Sequence, residues 1–138
     1  SSMAVGPVDV VIIGFPGNKF SGQIAPAIVD LVNSGTIRVV DLLFVMKDES
    51  GTITTIEAGD LGEGLEGFLS IDVMQAGALN EEDADEVADD LPLNSAALLI
   101  AFENTWAANF VQAVAAADGF VIDQIRIPVD VVNALVSE

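Results

Sequence analysis

The sequence predicts an α+β domain of the ferredoxin-like kind: a split β-α-β sandwich with a β-hairpin and an acidic helix inserted between its two halves. Three observations carry this. Two strongly apolar runs, Val8–Phe15 and Ala96–Phe102, are each followed by a helix-spaced stretch that ends near a glycine, Gly35 or Gly119. Each half then closes on a further apolar run with an arginine in it, Arg38 in one and Arg126 in the other. Between the halves lie a hairpin signal and a helix with an acidic outer face.

The elements follow in order. Val8, Val10, Val11, Ile12 and Ile13 form a β-branched run that reads as a buried strand, and Pro16-Gly17-Asn18 turns the chain. Ser21 is placed to cap a helix carrying Ile24, Ile28, Leu31 and Val32; Pro26 falls within the pattern, so the helix proper begins near Ala25 or is kinked early. Ile37–Lys47 is the second strand; Asp48–Gly51 turns it into a short return strand, Thr52–Ile56. Phe68–Ala76 fits strand or helix equally. Asn80, followed by Glu81, Glu82 and Asp83, is the clearest helix start, because an N-cap and early acids both suit a helix N-terminus. Ala84, Val87, Ala88 and Leu91 are its inner stripe, and Pro92 ends it. After the Ala96–Phe102 strand, Asn104 or Thr105 can cap a helix bearing Trp106, Phe110, Ala113, Val114 and Ala117 on one face, with small apolar residues on a second. Phe120–Ile127 is the expected last strand, and Pro128 opens a short helix expected to bury Val131, Val132 and Leu135. The expected sheet order, with the hairpin return left aside, is 4-1-3-2.

Composition removes several functions. The 138 residues suit one domain over residues 6–138, with residues 1–5 read as a cloning remnant and N-terminal tail. There is no Cys and no His, so thiol chemistry, disulfides and the commonest neutral-pH base and metal ligand are excluded. Twenty-two acids against four bases give a net charge of -18. Four scattered bases cannot neutralise a phosphate backbone, so nucleic acid is not an expected partner. No run is long enough to span a bilayer, and no signal peptide is visible, so a cytoplasmic location without membrane insertion is expected. Yet 51% of residues are apolar, which is high for so acidic a chain. Burial of apolar surface against a second copy of the chain reconciles the two.

Glu103 is the sharpest candidate residue. It ends a central strand and precedes a helix, and the expected sheet order sets Arg38 beside it. It reads either as a ligand-binding carboxylate in an acidic cleft with Arg38 and Trp106, or as an ion-pair partner of Arg38 and an acceptor for nearby N–H groups. The second reading needs no further catalytic group, and the sequence names none. The glycine-rich stretch Gly59–Gly67 lacks the lysine of a phosphate loop. Its acids Asp60, Glu63 and Glu66 are weak candidates for a divalent cation. Asp9, Asp41 and Asp72 sit in or near apolar runs without forming a pair. No cofactor is expected. Trp106, Ala107, Phe110, Val111 and Ala115 form the expected interface of a homodimer or higher oligomer, with another protein as a further partner class.

The segments V-D-V-V-I-I-G-F, R-V-V-D-L-L-F-V-M-K-D, N-E-E-D, S-A-A-L-L-I-A-F-E-N-T-W and R-I-P resemble one family of small, uncharacterised, mainly actinobacterial proteins known only as a domain of unknown function. A wider bacterial group that carries a membrane-protein label is related to it. The resemblance runs from about Gly6 to Leu135 and is most specific at Phe102–Trp106. It implies a ferredoxin-like fold and self-association, in some members beside a short C-terminal oligomerisation module that is not seen in this chain. It implies no activity. The expectation is therefore a non-enzymatic, self-associating structural, scaffold or regulatory domain, with a small-ligand or divalent-cation binder around Glu103 as the alternative.

Overall fold

The computed structural model describes residues 6–17, 24–60, 65–123 and 125–136. Strand β1 (Val8–Pro16) leads into helix α1 (Ile24–Asn33) and back into β2 (Arg38–Lys47). The hairpin return is β3 (Ile53–Glu57); α2 (Glu81–Asp90), β4 (Ser95–Glu103), α3 (Thr105–Ala116) and α4 (Val129–Val136) follow. The sheet order is β1-β4-β2-β3, antiparallel at every pairing. β1 and β2 thus run parallel with β4 between them, which is the split β-α-β unit. The α+β class holds.

Strand β4 is the centre because both its faces are apolar. Leu98 and Ile100 point to the α1 side, where they meet Phe15, Ala25, Ile28, Val39, Leu42 and Phe44. Ala97, Leu99 and Ala101 point to the α2 side, with Leu43, Val45, Ala84 and Ala88. Alanine on both the sheet and α2 lets the helix sit close. On the α1 side bulk is needed instead, and the Phe44 and Phe68 rings meet edge to face at 5.1 Å.

Two polar devices set the register of β2. The pairing of β2 with β4 shifts between Val39 and Asp41, and this bulge changes the parity of the strand. Val39, Leu42 and Phe44 consequently share one core. Asp41 is 2% exposed. Its Oδ1 accepts from the Leu42 N–H at 2.9 Å, and its Oδ2 accepts from Gly77 at 3.1 Å and Leu79 at 2.9 Å. The chain leading to α2 is thereby tied to the bulge, with Met74 and Gln75 donating to the Val39 and Val40 carbonyls. Helix α2 opens on a capping box between Asn80 and Asp83. At its other end the Lys47 ammonium donates to the Ala88 and Leu91 carbonyls, both at 3.0 Å, where the helix dipole favours a cation.

The two helix-ending glycines differ in kind. Gly35 has φ +75° and closes α1, with Thr36 N–H on the Leu31 carbonyl and Gly35 N–H on Val32. At the end of α3 the left-handed residue is Asp118, φ +62°. Gly119 sits in a tight place instead: an added Cβ would lie 3.1 Å from Val114 Cγ1 and 3.2 Å from the Val114 carbonyl oxygen.

Several expectations are corrected. The described residues 120–123 and 125–127 form no strand, so the order 4-1-3-2 is realised among the described residues as its 1-3-2 part, and the hairpin return β3 occupies the far edge. The segment has strand-forming residues, and Arg126 reaches Asp9 on β1, but its described residues do not join the sheet, since β propensity alone does not hold a strand. Val131, Val132 and Leu135 on α4 are 49%, 40% and 68% exposed, so that helix buries nothing expected of it. The ambiguous Phe68–Ala76 stretch follows a 3₁₀ turn at Glu66–Phe68 and is otherwise irregular, with Phe68 and Ile71 buried. Pro26 sits in the first turn of α1, where its missing N–H costs nothing. Ser21 lies outside the described residues. Of the three aspartates, Asp41 is buried, Asp9 is partly covered and Asp72 is exposed.

Asp41→Ala strands the Gly77 and Leu79 N–H groups in a buried position and is expected to cost about 2–4 kcal/mol in urea unfolding. In the hairpin turn the Ser50 hydroxyl, with the Thr52 and Ser50 N–H groups, holds the Asp48 carboxyl below its ordinary value. Because these bonds favour the ionised form, their support of the turn is present above the unfolded-chain value and is lost as pH falls through the folded one. A carboxyl-carbon NMR titration should place the Asp48 midpoint below the ordinary aspartate value, and Ser50→Ala should raise it back toward that value.

Candidate functional site

The segment Glu103-Asn104-Thr105-Trp106 joins β4 to α3, and each of its residues holds a different piece of chain. Glu103 is 1% exposed. Register pairs it with Val8 on one side and Arg38 on the other. Its Oε2 accepts from the Gly6 N–H at 2.8 Å, and its Oε1 faces the Arg38 Nε at 3.3 Å. The Arg38 side chain stays 36% exposed, so the pair joins a buried acid to a half-solvated base. That arrangement spares the cation most of its desolvation cost while answering the carboxylate.

Asn104 works on the same neighbour. Its backbone N–H donates to the Pro7 carbonyl at 2.8 Å, and its side-chain amide donates to Asp9 Oδ2 at 2.7 Å and to Pro7 at 3.2 Å. It does not cap α3 with its side chain. The Thr105 hydroxyl donates to the Gly35 carbonyl at 2.7 Å, and the Trp106 N–H reaches the Thr36 carbonyl at 3.4 Å. Four consecutive residues thus fasten the start of β1 and the α1–β2 turn to the end of the central strand. Gly6 is the close point: a Cβ there would lie 2.8 Å from the Asn104 carbonyl oxygen and 3.1 Å from the Ala108 Cβ.

Of the residues singled out by sequence, Glu103 and Arg38 come together as expected, and Trp106 belongs to the same segment through its backbone. The Trp106 side chain faces outward, 61% exposed, with Phe110 at 63%. Ala107 is buried against its own domain, while Val111 is half-buried and Ala115 exposed. Asp60 and Glu66 sit in separate 3₁₀ turns, and Glu63 lies outside the described residues. Among the described residues no group of three or more acids is gathered as a metal site would need. No helix among them is long and apolar enough to cross a membrane.

Three features escaped the sequence reading. The first is the service of Gly6, Pro7 and Asp9 as partners of Glu103 and Asn104; the Gly-Pro pair ahead of β1 was the only available signal. The second is an ion pair from Arg126 Nη2 to Asp9 Oδ2 at 3.0 Å. The third is an open apolar cleft of about 410 Å³ beside α1, lined by residues such as Val11, Ile13, Leu31, Ile100 and Phe102. Its lining comes from ordinary core positions of β1, α1 and β4, which look no different in sequence from covered ones.

The chain belongs to the family of unknown function DUF6325, whose sequence profile matches residues 4–138. No curated protein and no solved structure matches the chain.

Glu103→Ala leaves the Gly6 N–H unanswered and Arg38 without its counter-charge; about 2–3 kcal/mol should be lost in urea unfolding at unchanged m-value. Gly6→Ala pushes a methyl group into backbone and should cost about 1–3 kcal/mol by the same measurement.

Proposed function

We propose that this domain acts by associating with itself, as a non-enzymatic structural, scaffold or regulatory protein of the cytoplasm. One observation carries the reading: large apolar side chains stand in water on β1 and throughout the chain after Asn104. Val10 and Ile12 are 54% and 55% exposed, Phe120 and Ile122 80% and 88%. A lone soluble domain rarely shows so much apolar surface, and a symmetric partner would cover it. The buried carboxylates support a non-catalytic reading as well, because Glu103 and Asp41 are both engaged by backbone N–H groups of their own chain.

A second reading rests on the cleft beside α1. Its size and apolar lining suit a small hydrophobic ligand, which would move the ligand site away from the Glu103 carboxylate and onto the opposite strand residues Ile100 and Phe102. Thermal shift with apolar small molecules and with divalent cations separates the readings. Stabilisation by either class favours a binding protein, and the self-association reading expects none.

Size-exclusion with light scattering at micromolar concentration should give a mass of at least two chains, and a strict monomer would remove the reading. Each copy carries a charge of -18, so repulsion opposes assembly. Raising salt from low to physiological strength should therefore tighten the oligomer.

A further inference from the structure

We infer that α3 is a hinged lid for the apolar cleft beside α1. It swings about Asn104 and lays the face Trp106, Phe110, Ala113 and Ala117 over the cleft, antiparallel to α1. The inference rests on the cleft reading for its role, which is to regulate access to that site, and on the geometry of a single chain for the movement.

The cleft is open because one of its walls is missing. Ile100 and Phe102 of β4, with Val11 and Ile13 of β1, make the floor, and α1 makes the standing wall. No described residue of α3 lines it. Yet α3 begins at its edge. The Thr105 hydroxyl donates to the Gly35 carbonyl at 2.7 Å, and the Trp106 N–H reaches the Thr36 carbonyl at 3.4 Å, both in the turn that ends α1. The helix is thus tethered beside the space it would fill. Effective concentration alone then favours the chain's own helix over a second copy.

Only the first turn of α3 is held down. Ala107 and Ala108 are buried, and from Asn109 onward no residue of the helix is. Asn104, the residue before it, has φ −83° and ψ 86° and gives α3 no side-chain cap. Backbone angles at such an element end are where a helix reorients. Trp106 and Phe110 meanwhile stand 61% and 63% exposed, which gives closure a driving force.

The two helices match residue for residue. Both rise about 1.5 Å per residue, so equal steps taken in opposite directions from the Thr105–Gly35 contact stay level. That count sets Ala113 against Ala27 and, to within one residue, Phe110 against Leu31 and Ala117 against Ile24. Ile24, Ala27 and Leu31 are residues of α1 that line the cleft, at helical spacing. The open stripe of one helix therefore meets the open stripe of the other. Ala113 against Ala27 lets the helices approach closely, and Phe110 enters the cleft beside Leu31. An apolar ligand must displace that ring, so lid and ligand compete for one space.

The chain has no cysteine, so introduced ones report cleanly. Ala27→Cys and Ala113→Cys are placed together in the full chain; both positions are exposed, so folding should survive. With a mild oxidant at low micromolar concentration the pair should link within single chains. The yield should exceed several-fold that of Ala27→Cys with Ala115→Cys, whose second site lies on the opposite face of α3. Linking should cut acrylamide quenching of Trp106, the only tryptophan, several-fold. It should also lower uptake of a neutral apolar dye such as Nile red, and a thiol reductant should restore both. The lid is overturned by the lack of an intrachain link, by equal linking of the Ala115 pair, or by links only between chains. Strong dye uptake that the link leaves unchanged overturns it too. If the link forms and shields Trp106 but neither state takes up dye, α3 closes as inferred and the ligand reading of the cleft is what fails.

Discussion

A single buried carboxylate organises this domain. Glu103 cannot sit at 1% exposure as a charge unless the chain around it supplies donors. Gly6 supplies a donor and Arg38 the opposite charge, and these lie at the start of β1 and of β2, the two strands that flank β4. Satisfying one side chain therefore brings three strand ends together. Asn104 and Thr105 extend the fastening to Pro7, Asp9 and Gly35. The segment Glu103–Trp106 is thus a clasp, and its polar side chains are engaged by Gly6, Arg38, Pro7, Asp9 and Gly35.

The opposite half of β2 shows the same economy. Asp41 ties the irregular chain before α2 to a bulge, and Lys47 answers the last carbonyls of α2. Both charged groups act on backbone atoms that would otherwise lack partners. Against this well-satisfied polar framework the apolar surface is unbalanced. β1 and the residues after Asn104 expose large aliphatic and aromatic side chains that no described element covers. A charge of -18 works against association between like chains, whereas exposed apolar surface works for it.

Much of the fold was legible from periodicity and punctuation. The runs Val8–Phe15, Ile37–Lys47 and Ala96–Phe102 became strands because each is apolar on one or both faces and bounded by turn residues. The start of α2 was legible because Asn80 and the acids after it satisfy a helix N-terminus by local contacts alone. The Arg38–Glu103 pair was legible through topology, since the expected strand order sets those two ends side by side. Phe120–Ile127 misled for the complementary reason. Its side chains favour a strand, but a strand also needs a neighbour, and that is not a local property.

By itself, then, the sequence determined the α+β class, the central place of Ala96–Phe102, the capping of α2, and the exclusion of thiol and imidazole chemistry. These depend on residue type, spacing and count, which act over a few residues or over the whole composition. Only the tertiary structure decided that Asn104 spends its side chain on Asp9 and Pro7 instead of capping α3, that Asp41 is the buried aspartate, and that Trp106 faces water. Those outcomes turn on which distant backbone groups fall within hydrogen-bonding reach, and that is settled when the strands meet.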